Sequence, residues 1–137
     1  MTLPRRDRRA VAAPVSTFVV FTAAGRRFAL ATRQVVAVAE TPPLNPLPSA
    51  GRPEVLGLVA HRGRALPLVD LGRRLDGIAV DSPGPHCLVV EDGGRRVALG
   101  VAELVGLQRV SGDGLPPGCD AFDPAQAVFA AGREDEP

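Results

Sequence analysis

The chain has no lysine, no tyrosine and no tryptophan among its 137 residues, and these absences exclude several kinds of chemistry. All 16 basic residues are arginine, so a lysine Schiff base, a phosphate-loop lysine and a pyridoxal enzyme are ruled out. Phenylalanine occurs only five times, which leaves no broad aromatic platform for stacking nucleic-acid bases. The 15 acidic residues balance the basic ones to a net charge of +1, and no basic stripe is present. We therefore do not expect a nucleic-acid binder.

Cysteine and histidine are equally scarce. The two cysteines, Cys87 and Cys119, are 32 positions apart without a CxxC motif, so we expect two free thiols in a reducing cytosol. The only histidines are His61 and His86, and no group of residues has the ligand spacing of a zinc site. The sequence predicts no metal site and no cofactor.

No catalytic constellation is recognisable in the sequence. Asp70 ends an apolar strand, but it also fits as the N-cap of a short helical pattern over residues 70–77, and we favour that interpretation. His61 lacks a partnered serine or cysteine, and the serines fall in predicted loops outside any nucleophile-elbow context. We predict that the protein is not an enzyme.

Glycine and proline are abundant, with 15 and 14 residues respectively. Chains interrupted this often form short strands and turns rather than long helices. Apolar runs separated by turn residues predict about eight or nine strands, with tight bends at residues 23–26, 62–63 and 92–94. The predicted fold class is all-β, as a small barrel or a pair of barrels.

The chain divides into a central domain and two charged ends. The stretch that follows the N-terminal arginines imitates an export signal, but residues 10–25 are too few and too polar to span a bilayer. They also contain the first predicted strand. We expect a disordered basic tail over residues 1–15, one domain over residues 16–131 and an acidic tail over residues 132–137.

The segment Val55–Leu71 reads VLGLVAHRGRALPLVDL and resembles the signature of the CheW-like adaptor domain family. The first hairpin, the Leu47-Pro48 pair, the strands between residues 96 and 110 and the Leu115–Pro117 segment are similar to that family as well, so the resemblance covers residues 18–117. The signature positions that match are Gly57, Arg62, Gly63, Pro67, Asp70 and Leu71.

The resemblance implies two intertwined five-stranded β-barrels of the SH3-like kind, with a hydrophobic seam between them. It also implies a non-catalytic coupling protein that is cytoplasmic, peripheral to receptor arrays and not inserted in the membrane. Its partners would be the regulatory domain of a CheA-type histidine kinase and the cytoplasmic tip of methyl-accepting chemoreceptors. Edge strands and exposed apolar rows suit both strand-beside-strand docking and a receptor helix in a groove.

Candidate partner contacts come from the signature and from the strand after the first hairpin. An arginine such as Arg62 within an apolar double strand must find carbonyls, a carboxylate or a partner surface. A structural arginine satisfied within the fold and a partner-binding arginine are both open at this point. The predicted partner-binding residues are Val35, Val36, Val38, Gly57, Arg62 and Gly63.

Three departures from the family pattern bear on function. Ala37 and Ala102 stand where the family usually has Glu and Asp, and Ala60-His61 replaces a common Asn-Leu pair. The last 20 residues, 118–137, lack the family's closing motif, so the C-terminal closing elements are reduced. Either residues 125–131 supply a reduced closing strand, or the first barrel stays partly open and exposes an edge for a partner or a second copy.

Two functions are consistent with these residues. The first is a scaffold that couples chemoreceptors to the histidine kinase. The second is a divergent module of the same family that has lost one partner contact and serves as a specialised adaptor or array modulator in another signalling system.

Overall fold

Ten β-strands and two short α-helices form the part of the chain that this computed structural model describes, residues 14–46, 54–76 and 84–131. The strands are β1 (Val15–Ala23), β2 (Arg26–Ala31), β3 (Val35–Glu40), β4 (Asn45–Pro46), β5 (Val55–His61), β6 (Arg64–Asp70), β7 (His86–Asp92), β8 (Arg95–Gly100), β9 (Glu103–Ser111) and β10 (Asp120–Ala121). The helices are α1 (Leu71–Asp76) and α2 (Pro124–Ala131), and a 3-10 turn covers Thr32–Gln34. The predicted tails fall outside the described residues, apart from Pro14 and Val15.

The strands form two sheets, which confirms the all-β class. The first sheet has four strands in the order β10-β2-β1-β9, and the second has six in the order β3-β7-β8-β6-β5-β4. Neighbours are antiparallel except for β10 beside β2 and β6 beside β8. The ten described strands therefore divide as four and six, where the resemblance implied five and five.

The hydrophobic seam between the sheets is present as a cluster that we call the shared core. It contains 14 buried residues drawn from both sheets and from α2, including Phe21 on β1 and Leu88 on β7. Two smaller clusters lie on the other faces of the sheets. The first-sheet cluster contains Phe18, Val20, Ala29 and Ala31. The second-sheet cluster contains Val59, Leu66, Leu68, Cys87, Val89 and Ala98.

Strand β1 explains why its sequence reads as a continuous apolar run. Successive side chains of a strand point to opposite faces. Val19 and Phe21 face the shared core, whereas Phe18 and Val20 face the first-sheet cluster. Because both faces of β1 are buried, all four positions are apolar.

The three tight hairpin turns form where the sequence predicts them. Each turn has two central residues with positive φ, as type I′ turns require, and each has glycine at the second position. Only Gly is free of steric cost in that conformation, so Ala24 (φ 53°) and Arg62 (φ 50°) carry some backbone strain. The turns are Ala24-Gly25, Arg62-Gly63 and Gly93-Gly94.

The predicted cap of α1 is confirmed. The Arg73 backbone N–H donates to Asp70 Oδ2 at 2.8 Å, and the Asp70 side chain is buried. This carboxylate satisfies one of the free N–H groups at the start of the helix.

The prediction of a reduced closing strand at residues 125–131 is wrong, because that segment is helix α2. Asp123 Oδ1 accepts a hydrogen bond from the Ala125 N–H at 3.0 Å, and Pro124 occupies the first helical position. Both residue types favour helix starts, and the alanine-rich residues that follow have high helix propensity. The short β10, parallel to β2, is the last strand of the first sheet.

Candidate interaction surface

Strand β3 forms one edge of the second sheet and carries three of the predicted contact residues. Val35 is half-buried against the shared core, and Val36 is half-buried against the second-sheet cluster. The ladder with β7 is irregular between Val35 and Ala37, so Val36 is an extra residue in the strand. Val38 is 43% exposed and lies opposite Leu88, so it extends the shared core to the surface.

Gly57 has a packing role in the structure. It is buried in β5, and a Cβ atom at this position would collide with the backbone carbonyl oxygen of Asn45 on β4. Only glycine lets the two backbones approach so closely. Gly57 is therefore required for the packing of β4 on β5, and its partner-binding role stays a prediction.

Arg62 and Gly63 form the tip of the β5–β6 hairpin, and both are exposed. The guanidinium of Arg62 is therefore not buried within the double strand. The fold pays no desolvation cost for this charge. The neighbouring Arg64 is also exposed, and the buried Nε2 atom of His61 has no hydrogen-bond partner among the described residues. The tip thus presents two arginines to solvent.

One arginine at each of the other two hairpins has an acidic partner. Arg26 Nη2 lies 2.9 Å from Asp120 Oδ2 beside the first turn, and Arg96 Nε lies 3.1 Å from Glu91 Oε1 beside the third. Neither Arg62 nor Arg64 forms an ion pair with another described residue. Arg27 at the first hairpin is also exposed without an ion pair, but the β5–β6 tip is the hairpin at which neither arginine has an acidic partner among the described residues.

The six predicted contact residues do not form one continuous patch. Along the ladder through β6, β8 and β7, Gly57 lies level with Ala37 on β3. Arg62 comes five residues after Gly57, a distance of about 17 Å at roughly 3.3 Å per residue along the strand. The strand directions in this ladder place the tip at the end of the sheet where β3 begins. Arg62, Gly63 and Val35 therefore share one end of the second sheet, whereas Val38 lies beyond its middle.

The curl of the second sheet brings its outer strands together. β3 and β5 are separated by three strands in the sheet order. Side chains of both nevertheless pack on the second-sheet cluster, Val36 and Ala37 from β3 and Leu56 and Val59 from β5. Strand β3 and the β5–β6 hairpin, which carries Arg62 and Arg64, are thus parts of one curved sheet.

The described residues offer little for small-molecule chemistry. A cavity of about 290 Å³ opens beside the first-sheet cluster, lined by residues that include Phe18, Arg33 and Asp113, and both charged residues are exposed. No group of three or more His, Cys, Asp or Glu residues in residues 14–46, 54–76 and 84–131 is placed to hold a metal ion. Burial raises the pKa of the Cys87 thiol, which opposes nucleophilic use.

Sequence reasoning missed the exposed apolar residues on and around β9. Val105 is 43% exposed and Leu107 is 70% exposed, and Val15 at the start of β1 and Leu115 after β9 are also exposed. A run such as LVGLQRV predicts a strand but does not show which neighbour it has. The only sequence signal for such a surface was the missing closing motif. It left open the alternative that the first barrel exposes an edge.

Comparisons with known proteins agree with this all-β, two-sheet architecture. A family model described as CheW-like domain matches residues 17–134. The chain therefore belongs to the CheW-like domain family, whose members are non-catalytic adaptors and scaffolds of chemotaxis signalling.

A solved structure shows the same fold. The chain is similar to the scaffolding protein TtCheW from Thermoanaerobacter tengcongensis, with 22% sequence identity and a TM-score of 0.62. The match covers 78% of this chain and 75% of that chain. The comparison with curated proteins found no match. None of the helices among the described residues is long and apolar enough to cross a membrane.

Proposed function

We propose that this protein is a non-catalytic cytoplasmic adaptor that couples chemoreceptors to a CheA-type histidine kinase. Its partners are the regulatory domain of the kinase and the cytoplasmic tip of a methyl-accepting receptor. Membership of the CheW-like family supports the adaptor role. The contacts are assigned to the second sheet, at the β5–β6 tip and along β3.

The observation that carries this proposal is the uncompensated charge of Arg62 and Arg64 at an exposed tip. At each of the other two hairpins one arginine is paired with an acidic residue, Arg26 with Asp120 and Arg96 with Glu91. An arginine guanidinium forms strong, directional hydrogen bonds with a carboxylate. A partner surface with carboxylates would therefore pair with the two arginines of this tip.

The apolar edge supplies a second contact. Val38 brings the shared core to the surface at an edge strand, and edge strands and apolar margins accept a partner strand or helix. A partner that covers Val38 gains apolar burial without any rearrangement of the fold. Such contacts are modest one by one and are strengthened when many copies are arrayed.

The test is capture of two purified fragments by the full chain. We expect the chain to bind the regulatory domain of a cognate kinase and the cytoplasmic fragment of a cognate receptor, each alone and both in one ternary complex. A chain that binds neither fragment at concentrations of about 100 μM would contradict the proposal.

A second candidate is a specialised adaptor that has kept one partner and lost the other. Ala37 on β3 and Ala102 after β8 replace the acidic residues usual in the family, and Ala102 is exposed. Loss of a carboxylate at a contact removes an ion pair that a partner's basic residue needs. Capture of only one of the two fragments would select this candidate.

A further inference from the structure

Strand β9 is a long unpaired edge of the first sheet. It spans nine residues and, among the described residues, is hydrogen-bonded to β1 alone. A Cβ atom built on Gly106, next to the middle residue Leu107, meets nothing within 4 Å. One row of its backbone N–H and C=O groups is therefore available to another strand.

The exposed apolar residues of the described chain concentrate at this edge. Five large hydrophobic residues are exposed, and four of them lie on β9, on the adjoining start of β1 or in the loop after β9. Val105 and Leu107 flank Gly106, and Leu107 is the most exposed of the five at 70%. Natural edge strands usually carry charges at such positions, so this edge resembles an interface rather than a protected edge.

The charges of β9 favour antiparallel pairing with an identical strand. Glu103 and Arg109 each lie three residues from Gly106, on opposite sides, and neither has a side-chain partner among the described residues. Antiparallel pairing centred on Gly106 places Glu103 of each copy level with Arg109 of the other. Parallel pairing in register would place like charges level with each other.

Antiparallel pairing centred on Gly106 also brings the apolar residues of the two strands level with each other. Val105 and Leu107 each lie one residue from Gly106, so each valine comes level with the leucine of the other copy. Glycine at the centre leaves room for the two backbones to approach. About this single point, the strand brings its apolar residues level with each other and its opposite charges to the same ends of the pair.

We propose that two copies of this chain join at β9, strand beside strand in antiparallel orientation, and extend the first sheet across the pair. The arrangement has twofold symmetry, so pairing consumes the β9 edge of both copies and forms a closed dimer rather than a fibre. This surface is separate from β3 and the β5–β6 tip, so the proposal goes beyond the adaptor function and stands independently of it.

The dimer is expected to be weak. A single strand pair buries less than the roughly 1,200–2,000 Å² of a stable interface. The ladder between β9 and β1 is irregular at Val105, which bends the strand there. Glu103 lies opposite Thr22 and Arg109 opposite Thr17, so the two charges leave opposite faces of the sheet and attract through space rather than as a fixed ion pair. We expect a Kd of the order of 10–1,000 μM.

Sedimentation equilibrium of the full chain between about 10 μM and 2 mM tests the proposal. We expect a reversible monomer–dimer equilibrium that Leu107→Lys weakens by about tenfold or more, because apolar burial is lost twice per dimer. Leu107→Thr, which keeps a good strand former at the position, should weaken it in the same direction. Far-UV circular dichroism of each variant checks that the fold is retained. Val38→Lys, on the edge of the other sheet, is the matched control and should leave the dimer unchanged.

A charge exchange tests the orientation of the strands. Glu103→Arg and Arg109→Glu should each weaken the dimer by up to roughly threefold at low salt, because each change replaces an attraction through space with a repulsion at both ends. The double variant should recover most of the wild-type affinity. A chain that stays monomeric at about 2 mM, a dimer insensitive to both Leu107 variants, or a double variant weaker than either single variant would overturn the proposal.

Discussion

The two sheets of this protein share one core but differ in the length of their edge strands. The six-stranded sheet ends at the two-residue β4 and at β3, and it curls so that side chains from both sides pack on one cluster. The four-stranded sheet ends at the two-residue β10 and at the nine-residue β9, which leaves a long edge open. The six-stranded sheet thus has the six-residue edge strand β3, whereas the four-stranded sheet has the longer edge strand β9, and either edge can accept a partner strand. Our two proposals use this difference, with partner contacts on the six-stranded sheet and self-association on the four-stranded sheet.

The largest expected effect comes from the core that the sheets share. Leu88→Ala removes a fully buried side chain from this core and should lower the free energy of unfolding by about 2–5 kcal/mol. Because the core joins both sheets, unfolding should remain one transition. Urea unfolding followed by far-UV circular dichroism measures this, since the chain has no Trp or Tyr to report by fluorescence. Two separate transitions would show that the sheets are independent units.

Two glycines compare the two sheets directly. Gly57 in β5 and Gly106 in β9 both have positive φ, at 155° and 139°, but only Gly57 faces neighbouring backbone. Gly57→Ala should cost about 1–3 kcal/mol, because backbone must shift as well as adopt strain. Gly106→Ala should cost about 1 kcal/mol from strain alone. Equal losses in urea unfolding would mean that β4 moves freely away from β5.

Matched valine substitutions compare the two smaller clusters. Val89→Ala in the second-sheet cluster should cost about 1.5–3 kcal/mol, because surrounding residues hold the cavity open. Val20→Ala in the first-sheet cluster should cost about 1 kcal/mol less, because only three other buried residues belong to this cluster and its open side permits relaxation. A larger loss for Val20→Ala would contradict the picture of an open first sheet.

The smallest effect concerns alkaline pH. Burial raises the pKa of Cys87 in the folded chain, so the unfolded chain ionises first as pH rises. Stability from this group is full below the unfolded thiol pKa, near 8.5, and declines as pH rises above it. The chain has no Lys or Tyr, so few other groups titrate in this range. Between pH 8 and about 10, the unfolding midpoint should fall less in Cys87→Ala than in the wild type. If the unfolding midpoint fell equally with pH in both chains, Cys87 would not be the source of the lost stability.

The sequence predicted those features that local chemistry determines. The hairpin turns follow from paired turn residues such as Arg62-Gly63, and the N-cap follows from Asp70 before a helical pattern. Helix α2 was missed although Asp123-Pro124 is a good helix start, because an apolar run of four residues fits a strand equally well. The exposure of Arg62 and Leu107 depends on which strands are neighbours, and that is decided by contacts distant in sequence. The partner-binding roles of all six predicted residues stay predictions: Val35, Val36, Val38, Gly57, Arg62 and Gly63.

The most direct measurement of the adaptor account is partner capture by Arg62→Gly with its stability measured in the same preparation. This substitution removes the guanidinium and relieves the positive φ, so the free energy of unfolding should stay equal or rise by up to about 1 kcal/mol. Ala24→Gly makes the same backbone change at the first hairpin and serves as the control. The account predicts that Arg62→Gly lowers affinity for at least one fragment by about tenfold or more, whereas Ala24→Gly lowers neither. A stable Arg62→Gly chain that binds both fragments as the wild type does would contradict it.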